Sequence, residues 1–392
     1  MPLLRYSTAG ESHGPALTTL VNGVPAGLEI DLEFINAELA RRQGGYGRGA
    51  RQRIETDQAV FLGGVRRGRT TGGPIVIQIK NVDSRLDDLE RTPPVVRPRP
   101  GHADLAGAIK WLTPDCRDTL ERASGRETAA RVAAGALARV LLRGFEIEAF
   151  GFVRTVLDAT TSVEVNESNW GELRALRDAS EVYCPDAAAS TAIVERIHRA
   201  KVEKDTAGGI VESHVFGCPI GLGTCVNWDE RLDSRLAAAV MGIQAFKAVE
   251  IGLGRDCAFR PGSQVHDPIV YDAAQRNRPH FGFTRPTNNA GGLEGGMTNG
   301  MPLVVRGTMK PIATLLRGMP SVDLITHEPQ YSAYERSDIS AIAAASVVME
   351  NMVAFEVARA FLEKFAGDTM TEVRGAFDRF LALARAVGGE RV

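Results

Sequence analysis

Two long segments of this chain lack the polar face that a surface helix needs. Residues 129–142 are mainly Ala, Val and Leu, with only Arg131 and Arg139 charged, and residues 339–361 are similarly rich in Ala, Val and Met. A helix that is apolar around most of its circumference is buried around most of it. The two segments therefore predict buried helices, spanning about 115–144 and 339–361, that need covering layers on both sides.

The segments between these helices supply candidates for the covering layers. Asp31 is expected to cap a helix that runs to about Gln43, because an aspartate side chain accepts hydrogen bonds from the first free amides of a helix. Runs of alternating or β-branched apolar residues indicate strands. Further helices are predicted over 232–249 and 371–387, and strands over 17–24, 74–79, 210–216, 268–271 and 302–305.

Charge and composition exclude several classes of protein. The chain is 44% hydrophobic and 24% charged, with a formal net charge of −2, which is ordinary for a globular protein. A nearly neutral chain is not typical of a dedicated nucleic-acid or membrane-surface binder, and no run approaches the ~20 apolar residues of a membrane helix. The five cysteines form no C-x-x-C pair, which favours reduced thiols. We therefore expect a cytoplasmic protein with no nucleic-acid partner, no membrane partner and no metal.

Two of the seven histidines lie in turns rich in Gly and Pro beside charged residues. His13 lies in GESHG at 10–14, and His102 lies in RPRPGHAD at 97–104. With an unperturbed pKa of about 6.5, an imidazole can serve as acid or base near neutral pH. Residues 41–53 add five arginines and four glycines, and arginine pairs bidentately with phosphate or carboxylate oxygens. Together these segments predict proton transfer beside a phosphate.

Each segment also has a simpler interpretation. GESHG fits the nucleophile elbow of hydrolases, but a strand is predicted after Ser12 where the elbow requires a helix. A tight turn with a solvated His13 is the other alternative. The arginine-rich segment could be a solvated basic loop. The loop at 83–100 is either a functional lid or a surface excursion.

The remaining motifs are open to similar alternatives. Ser337 or Asp338 is a candidate cap for the helix that follows, and Glu127 is a candidate ion-pair partner of Arg131 four residues later. The glycine-rich segment at 291–300 could contact a flat ligand. It has neither the Gly-Lys-Ser/Thr of a P-loop nor the strand and helix of a dinucleotide fingerprint.

Taken in order along the chain, these segments resemble the chorismate synthase family. The resemblance covers nearly the whole chain, is weakest over 158–205, and departs slightly at Gly125, where alanine is common, and at Gly242, where serine is common. The resemblance is specific because the matching segments occur together and in the same order. The matching segments are GESHG at 10–14, GYGRG at 45–49, TTGGPI at 70–75, RPGHAD at 99–104, ERAS at 121–124, QAFKAVEIG at 244–252, the glycines of 291–300, KPI at 310–312 and RSD at 336–338.

The resemblance implies a fold and a reaction. The fold is α+β, a β-α-β sandwich with long buried helices between antiparallel sheets, as one domain over 1–392 that assembles as a homotetramer. The reaction is the 1,4-anti elimination of phosphate and a ring proton from 5-enolpyruvylshikimate 3-phosphate to give chorismate, a step toward the aromatic amino acids. It needs reduced FMN without net redox change. Since the chain shows no extra reductase domain, we expect an external source of reduced flavin.

The resemblance also implies roles for particular residues. His13 would assist departure of the phosphate, His102 would stabilise the reduced flavin, and Asp338 would relay a proton beside it. Arg42 and Arg48 would contact the substrate phosphate or NADP. A reductase with net redox chemistry, a hydrolase using Ser12 and a nucleic-acid-binding protein are the alternatives. The residues implied at the FMN are Arg122, Ala123, Ser124, Gln244, Ala245, Gly295, Lys310, Pro311, Ile312, Ala313, Thr314 and Arg336.

Overall fold

Two antiparallel sheets enclose the long apolar helices. The computed structural model of the protein describes residues 3–49, 54–333, 335 and 338–387. The helices in these residues are α1 (Leu32–Gln43), α2 (Asp104–Lys110), α3 (Arg117–Arg122), α4 (Thr128–Arg143), α5 (Trp170–Ala179), α6 (Ala187–Val202), α7 (Leu232–Met241), α8 (Ile342–Lys364) and α9 (Met370–Ala384).

Among the described residues, the strands form two larger sheets and four two-stranded sheets. They are β1 (Arg5–Ala9), β2 (Ala16–Asn22), β3 (Ala59–Gly63), β4 (Val65–Arg66), β5 (Arg69–Thr70), β6 (Ile75–Lys80), β7 (Glu148–Val156), β8 (Ala159–Thr160), β9 (Gly209–Phe216), β10 (Phe246–Ile251), β11 (Val270–Tyr271), β12 (Phe283–Thr284), β13 (Leu293–Glu294), β14 (Met297–Thr298), β15 (Leu303–Met309), β16 (Pro320–Val322) and β17 (Pro329–Tyr331).

The layers follow from which faces are apolar. The first sheet has the order β1-β2-β6-β3 and the second the order β10-β15-β9-β7-β8, with antiparallel pairing throughout. On β6 the alternating Ile75, Ile77 and Ile79 are buried, as expected for a strand with one face on the core. Helix α4 packs on β2 and β6, α8 packs on β7 and β9, and the two helices pack on each other. This arrangement confirms the predicted α+β sandwich with helices between antiparallel sheets.

Glycines allow the closest approach between the layers. A Cβ atom on Gly135 of α4 would lie 2.5 Å from both Cβ and O of Asn351 on α8. A Cβ on Gly151 of β7 would lie 2.8 Å from Cβ of Glu350 on the same helix. Any larger side chain at these positions would push α8 away from its neighbours, so the two glycines set the spacing of the sandwich.

A network of paired charges lies inside this otherwise apolar interior. Arg139 of α4 donates to Oε2 of Glu38 at 2.6 Å and contacts Oε1 of Glu350 at 2.9 Å. Arg41 donates to the second oxygen of Glu350 at 2.6 Å, and Arg177 donates to it at 3.1 Å. A buried charge costs several kcal/mol unless it is paired. This pairing explains why an arginine can stand on the buried helix α4.

Several local predictions are confirmed. Helix α1 ends at Gln43 as predicted, and Asp31 caps it by accepting from the amide of Phe34 at 2.9 Å. The predicted pair is also present, because Arg131 Nε donates to Glu127 Oε2 at 2.9 Å.

The prediction of a continuous helix over about 115–144 is wrong. Helix α3 ends at Arg122, a short 3-10 turn covers Gly125–Glu127, and α4 begins at Thr128. Ser124 is extended (φ −62°, ψ 144°), and its side chain accepts from the amide of Arg126, a local bond that competes with the helix. The break leaves Ala123 and Ser124 between α3 and the 3-10 turn.

The prediction of a helix over 232–249 is also wrong. Helix α7 ends at Met241, and Gly242 follows it. The chain then turns through Ala245, which has a φ of +70°, and continues as β10 on the edge of the second sheet. Pairing with β15 therefore overrides the helical pattern of 244–249.

The predicted cap of the 339–361 helix is wrong as well. Helix α8 begins at Ile342, with Ala341 at its N-cap position and no side-chain cap. Asp338 lies four residues earlier and binds elsewhere, while Ser337 lies outside the described residues. Within the described ranges, no helix is both long enough and apolar enough to cross a membrane.

Candidate active site

A single large cavity collects most of the residues that the sequence singled out. Its volume is about 940 Å³. It opens where the 10–14 turn, the break before α4, the segment after β15 and the segment before α8 meet. The predicted residues that line it are His13, Arg42, Arg48, His102, Ala123, Ser124, Gln244, Ala245, Lys310, Pro311, Ile312, Ala313, Thr314 and Asp338.

Two predicted residues, Arg122 and Gly295, are not among those lining it, and a third lies outside the described residues. Arg122 instead donates to the carbonyl oxygens of Gly10 at 3.0 Å and Thr8 at 2.9 Å, so it ties the break after α3 to the first sheet. Gly295 lies in the turn between β13 and β14. Arg336 lies outside the described residues. Roles for these three residues stay predictions.

The turn that carries His13 is held against α3. The amide of Ser12 donates to the backbone oxygen of Glu121 at 3.1 Å, and the amide of His13 donates to Oε2 of the same residue at 2.8 Å. Gly10 has a φ of +103°, and a Cβ there would lie 2.3 Å from the oxygen of Ala16, so the turn requires glycine. A tight turn is therefore present, but its histidine is not a solvated one.

The His13 ring lies between two acidic groups. Its Nδ1 atom is 2.8 Å and 3.0 Å from the two carboxylate oxygens of Glu121, whose side chain is fully buried. Its Nε2 atom lies 3.8 Å from Asp83 and 3.4 Å from a nitrogen of Arg85. Burial alone would raise the pKa of Glu121, but hydrogen bonds from His13, its charge and that of Arg117 lower it. Glu121 is therefore a carboxylate at neutral pH.

His102, which also lines the cavity, is held in a similar way. Its Nδ1 atom contacts Oδ1 of the fully buried Asp104. Arg99 donates to Asp104 through Nε at 2.8 Å, and through Nη1 to the hydroxyl of Thr314 at 3.0 Å. Burial raises the pKa of Asp104, but hydrogen bonds from His102 and Arg99 outweigh it and bring the pKa far below its usual value. The ring is thus oriented by an ionised carboxylate.

Two buried guanidinium groups form one wall of the cavity. Arg42 donates to Thr128 Oγ1 at 2.8 Å and to the oxygen of Gly125 at 2.7 Å. Arg126 donates to both oxygens of Asp57, at 2.6 Å and 2.7 Å. One nitrogen of each group has no hydrogen-bond partner among the described residues, but each lies near a carboxylate. Nη1 of Arg42 is 3.6 Å from Asp57, and Nη2 of Arg126 is 3.7 Å from Glu55.

Arg48 adds a third guanidinium group, and Asp57, Glu55 and Asp338 pair with the three arginines. Burial, together with the charges of Arg126 and Arg48, lowers the pKa of Arg42 to about 9 against the opposing effects of Asp57 and Asp338. An anion placed at the wall would relieve this repulsion and accept the unused hydrogen bonds. The geometry is therefore suited to a phosphate or carboxylate.

The segment before α8 brings Asp338 to the same cavity. Asp338 accepts from the amide of Gly49 at 2.6 Å and pairs with Arg48 at 2.7 Å. The amide of Ile339 donates to the oxygen of Gly47 at 2.8 Å, which fixes the glycine-rich segment against this stretch. The glycine at 47 has a φ of +88°, a conformation that other residues rarely adopt.

Sequence reasoning missed several residues that line the cavity or orient its histidines. Arg99 lies inside the RPRPGHAD segment and Glu121 lies at the start of ERAS, so their positions were a usable signal. Nothing in the sequence links Glu121 to His13, however, because the two are 108 positions apart and only the fold brings them together. Asp83, Arg85, Arg117 and Arg126 were also missed, and Ser12 was predicted only as the nucleophile of an alternative hydrolase.

The fold and this cavity define a class of protein: an α+β enzyme in which two carboxylate-oriented histidines and several buried arginines line one cavity. Comparison with known proteins gives the family. The model of the family described as chorismate synthase matches residues 4–362. The chain belongs to the chorismate synthase family and is a lyase of a phosphate-bearing substrate.

Individual relatives agree with this assignment along the whole chain. The chorismate synthase of Desulforamulus reducens is 51% identical over 394 residues, covering 98% of this chain and all of that protein. That of Geobacter sulfurreducens is 50% identical over 395 residues, with 98% and 100% covered. A solved structure titled "Crystal Structure of Chorismate Synthase" superposes on this chain with a TM-score of 0.80 at 38% sequence identity. The match covers 98% of this chain and 99% of the solved chain.

Proposed function

We propose that this protein converts 5-enolpyruvylshikimate 3-phosphate to chorismate by 1,4-anti elimination of phosphate and a ring proton. The observation that carries the proposal is the shared cavity, which is lined by two carboxylate-oriented histidines and by the guanidinium groups of Arg42, Arg48 and Arg126. The reaction needs acid–base groups beside a leaving phosphate, and this cavity supplies both.

The proposed substrate carries a phosphate and two carboxylates. Arg42 and Arg126 would take up phosphate oxygens with their unused nitrogens, and Arg48 would add a third cation. NADP phosphate is the alternative ligand for Arg42 and Arg48. Charge-assisted hydrogen bonds of this kind are roughly twice as strong as neutral ones. The arginines therefore hold an anionic ligand despite the nearly neutral charge of the chain.

Reduced FMN is the proposed cofactor, and the cavity fits it. About 940 Å³ lies near the top of the range of about 300–1,000 Å³ for small-molecule sites. The buried Oε1 atom of Gln244 has no hydrogen-bond partner among the described residues, so it could accept from a ring N–H. When bound, reduced FMN would supply an electron transiently, with no net redox change. The residues proposed to hold it are Arg122, Ala123, Ser124, Gln244, Ala245, Gly295, Arg336 and those at 310–314.

The titratable side chains would divide the proton chemistry among them. His13, as imidazolium, would donate a hydrogen bond or a proton to the departing phosphate. His102 would place its positive ring beside the pyrimidine part of the cofactor. Asp338, held by Arg48 and the Gly49 amide, would pass a proton through its carboxylate oxygens beside flavin N5.

We also propose that the protein is a cytoplasmic homotetramer that receives reduced flavin from an external source. These statements rest on the family alone. Sedimentation analysis tests the tetramer, and omission of the photoreductant tests the flavin source. Chorismate formation with NADPH and oxidised FMN alone would refute the need for an external source.

The decisive experiment is anaerobic incubation of the protein with 5-enolpyruvylshikimate 3-phosphate and photoreduced FMN. We expect chorismate absorbance and phosphate to appear together, with far less flavin than product. Consumption of one reductant per product would instead indicate a reductase with net redox chemistry. Ester cleavage that Ser12→Ala abolishes, with no need of flavin, would indicate a hydrolase.

A further inference from the structure

The contact between Glu121 and His13 has the geometry of a positioning pair. One carboxylate oxygen of Glu121 lies 2.8 Å from Nδ1, and the other accepts the backbone amide of His13 at 2.8 Å. The Glu121 carboxylate therefore binds both the ring and the backbone amide of His13, which fixes the rotation of the His13 side chain. The Glu121 side chain is fully buried, whereas 13% of the His13 side chain is exposed to the cavity.

This geometry determines which nitrogen carries the proton. A carboxylate can only accept, so Nδ1 of His13 must be the donor whenever Glu121 is ionised. The exchangeable site of the ring is then Nε2, on the side of Asp83 and Arg85, both of which line the cavity. His13 thus presents the nitrogen that can take and release a proton toward the ligand.

Glu121 is itself fixed by its surroundings. Arg117 approaches Oε1 of Glu121 to 3.5 Å and is anchored by the oxygen of Pro93 at 2.7 Å and by Glu335 at 3.1 Å. In the part of the chain that the structure describes, the charged groups around His13 include Glu121 and Arg117 from α3, and Asp83 and Arg85 from the loop that follows β6. Arg91 approaches Asp83 to 3.6 Å from the same loop.

We propose that Glu121 is a positioning residue for the elimination: it holds His13 with Nδ1 protonated and Nε2 directed to the ligand. Only the kinetic part of this proposal rests on the proposed function. His102 has a similar partner in Asp104, but Asp104 also accepts from the backbone and side chain of Arg99, so its replacement would disturb the loop. Glu121 is the better test.

Glu121→Gln separates orientation from folding. The amide can be accommodated if its NH₂ group lies beside Nδ1 and its oxygen keeps the bond to the His13 amide. Nδ1 then becomes the acceptor, and the neutral ring carries its proton on Nε2. Arg117 keeps its bonds to Pro93 and Glu335. The variant should therefore fold with the opposite tautomer, a change that costs up to about 10⁴-fold in kcat in a comparable histidine–carboxylate pair of a serine protease.

The chain offers a matched control in Glu212, which lies on the second sheet and does not line the cavity. Glu212 is also buried and contacts His214 Nε2 at 2.8 Å. We expect Glu121→Gln to lower kcat by about 10²-fold or more with little change in KM, and Glu212→Gln to keep kcat within about twofold. In the double variant with His13→Ala, Glu121→Gln should cause no further loss.

A spectroscopic readout does not depend on activity. In protein labelled with ¹⁵N-histidine, His102 and its partner Asp104 should give one downfield Nδ1–H proton that is present in every variant. We expect a second downfield Nδ1–H proton, from His13, that His13→Ala and Glu121→Gln remove and Glu212→Gln keeps. Its absence from the wild-type spectrum, or its persistence in His13→Ala, overturns the proposal even if Glu121→Gln does not fold. Folded Glu121→Gln with kcat within threefold of wild type also overturns it. Absence of chorismate formation by the wild type would sink the proposed function, while the spectrum would still test the pair.

Discussion

Arg48 offers a test that separates ligand binding from folding. Its guanidinium pairs with Asp338 at 2.7 Å, and 9% of its side chain is exposed. Arg235 pairs with Glu363 at 2.6 Å and is also 9% exposed, but it does not line the cavity. The two arginines are therefore matched in burial and pairing and differ in their position relative to the cavity.

Replacing either arginine with alanine removes one partly buried ion pair. We expect both variants to lose about 1–2 kcal/mol of unfolding free energy, between the values for surface pairs and for hydrogen bonds to charged groups. Arg48→Ala also removes a charge-assisted contact to the proposed substrate, which is worth about 1.5–3 kcal/mol. At about 1.4 kcal/mol per factor of ten, this loss raises KM by about 10- to 150-fold.

The assay combines urea unfolding with steady-state chorismate formation. Arg48→Ala and Arg235→Ala should have similar urea midpoints, while only Arg48→Ala raises the KM for 5-enolpyruvylshikimate 3-phosphate. Arg48→Lys should recover part of the loss, since it keeps the charge but not the bidentate geometry. Equal KM values for the two alanine variants would refute the assignment of Arg48 to the ligand, whatever their stabilities.

Three further predictions concern acid–base chemistry, packing and pH. His13→Ala and His102→Ala should each lower kcat by about 10²-fold or more, and near-wild-type turnover in both would show that these rings are not the acid–base groups. Gly135→Ala should lower the urea midpoint, since its Cβ would lie 2.5 Å from the Cβ and O atoms of Asn351 and overpacking costs about 1–3 kcal/mol, more than the helix propensity gained. Burial raises the pKa of Glu212, but His214 and neighbouring arginines lower this pKa to about 2 in the folded protein. Ionised Glu212 therefore stabilises the fold above the unfolded pKa near 4.5, and this stabilisation is lost as the pH falls toward 2. The difference in unfolding free energy between wild type and Glu212→Gln should shrink over that interval, from about 3 kcal/mol at neutral pH, and a pH-independent difference would contradict the linkage.

Local signals explain which elements could be predicted. Helix α1 was predicted correctly because its cap at Asp31 and its apolar spacing lie within one short segment. The segments at 115–144 and 232–249 gave long helical patterns that the fold interrupts, at Ser124 and after Met241. In both cases the hydrophobic pattern does not contain the interaction that competes with the helix. In the first segment, the Ser124 side chain bonds to its own turn. In the second, Phe246 begins a strand that pairs with β15, about sixty residues further along the chain.

The candidate site shows the same division. His13 and His102 could be selected because their turns and charged neighbours are visible in the sequence, and the structure places both at one cavity. The two carboxylates that orient these rings differ in how far they lie from their histidines along the sequence. Asp104 lies two residues from its histidine, whereas Glu121 and His13 come together only because α3 packs against the 10–14 turn.

The amino-acid sequence by itself determined that two helices must be buried, because an apolar helix has no polar face that could be exposed to solvent. It also determined which side chains were available for acid–base and anion chemistry. Tertiary structure alone decided where α3 stops, which carboxylate holds the His13 ring, and which guanidinium groups line the cavity. These outcomes depend on distances between residues far apart in the chain, and hydrogen bonds and ion pairs form only within a few ångströms.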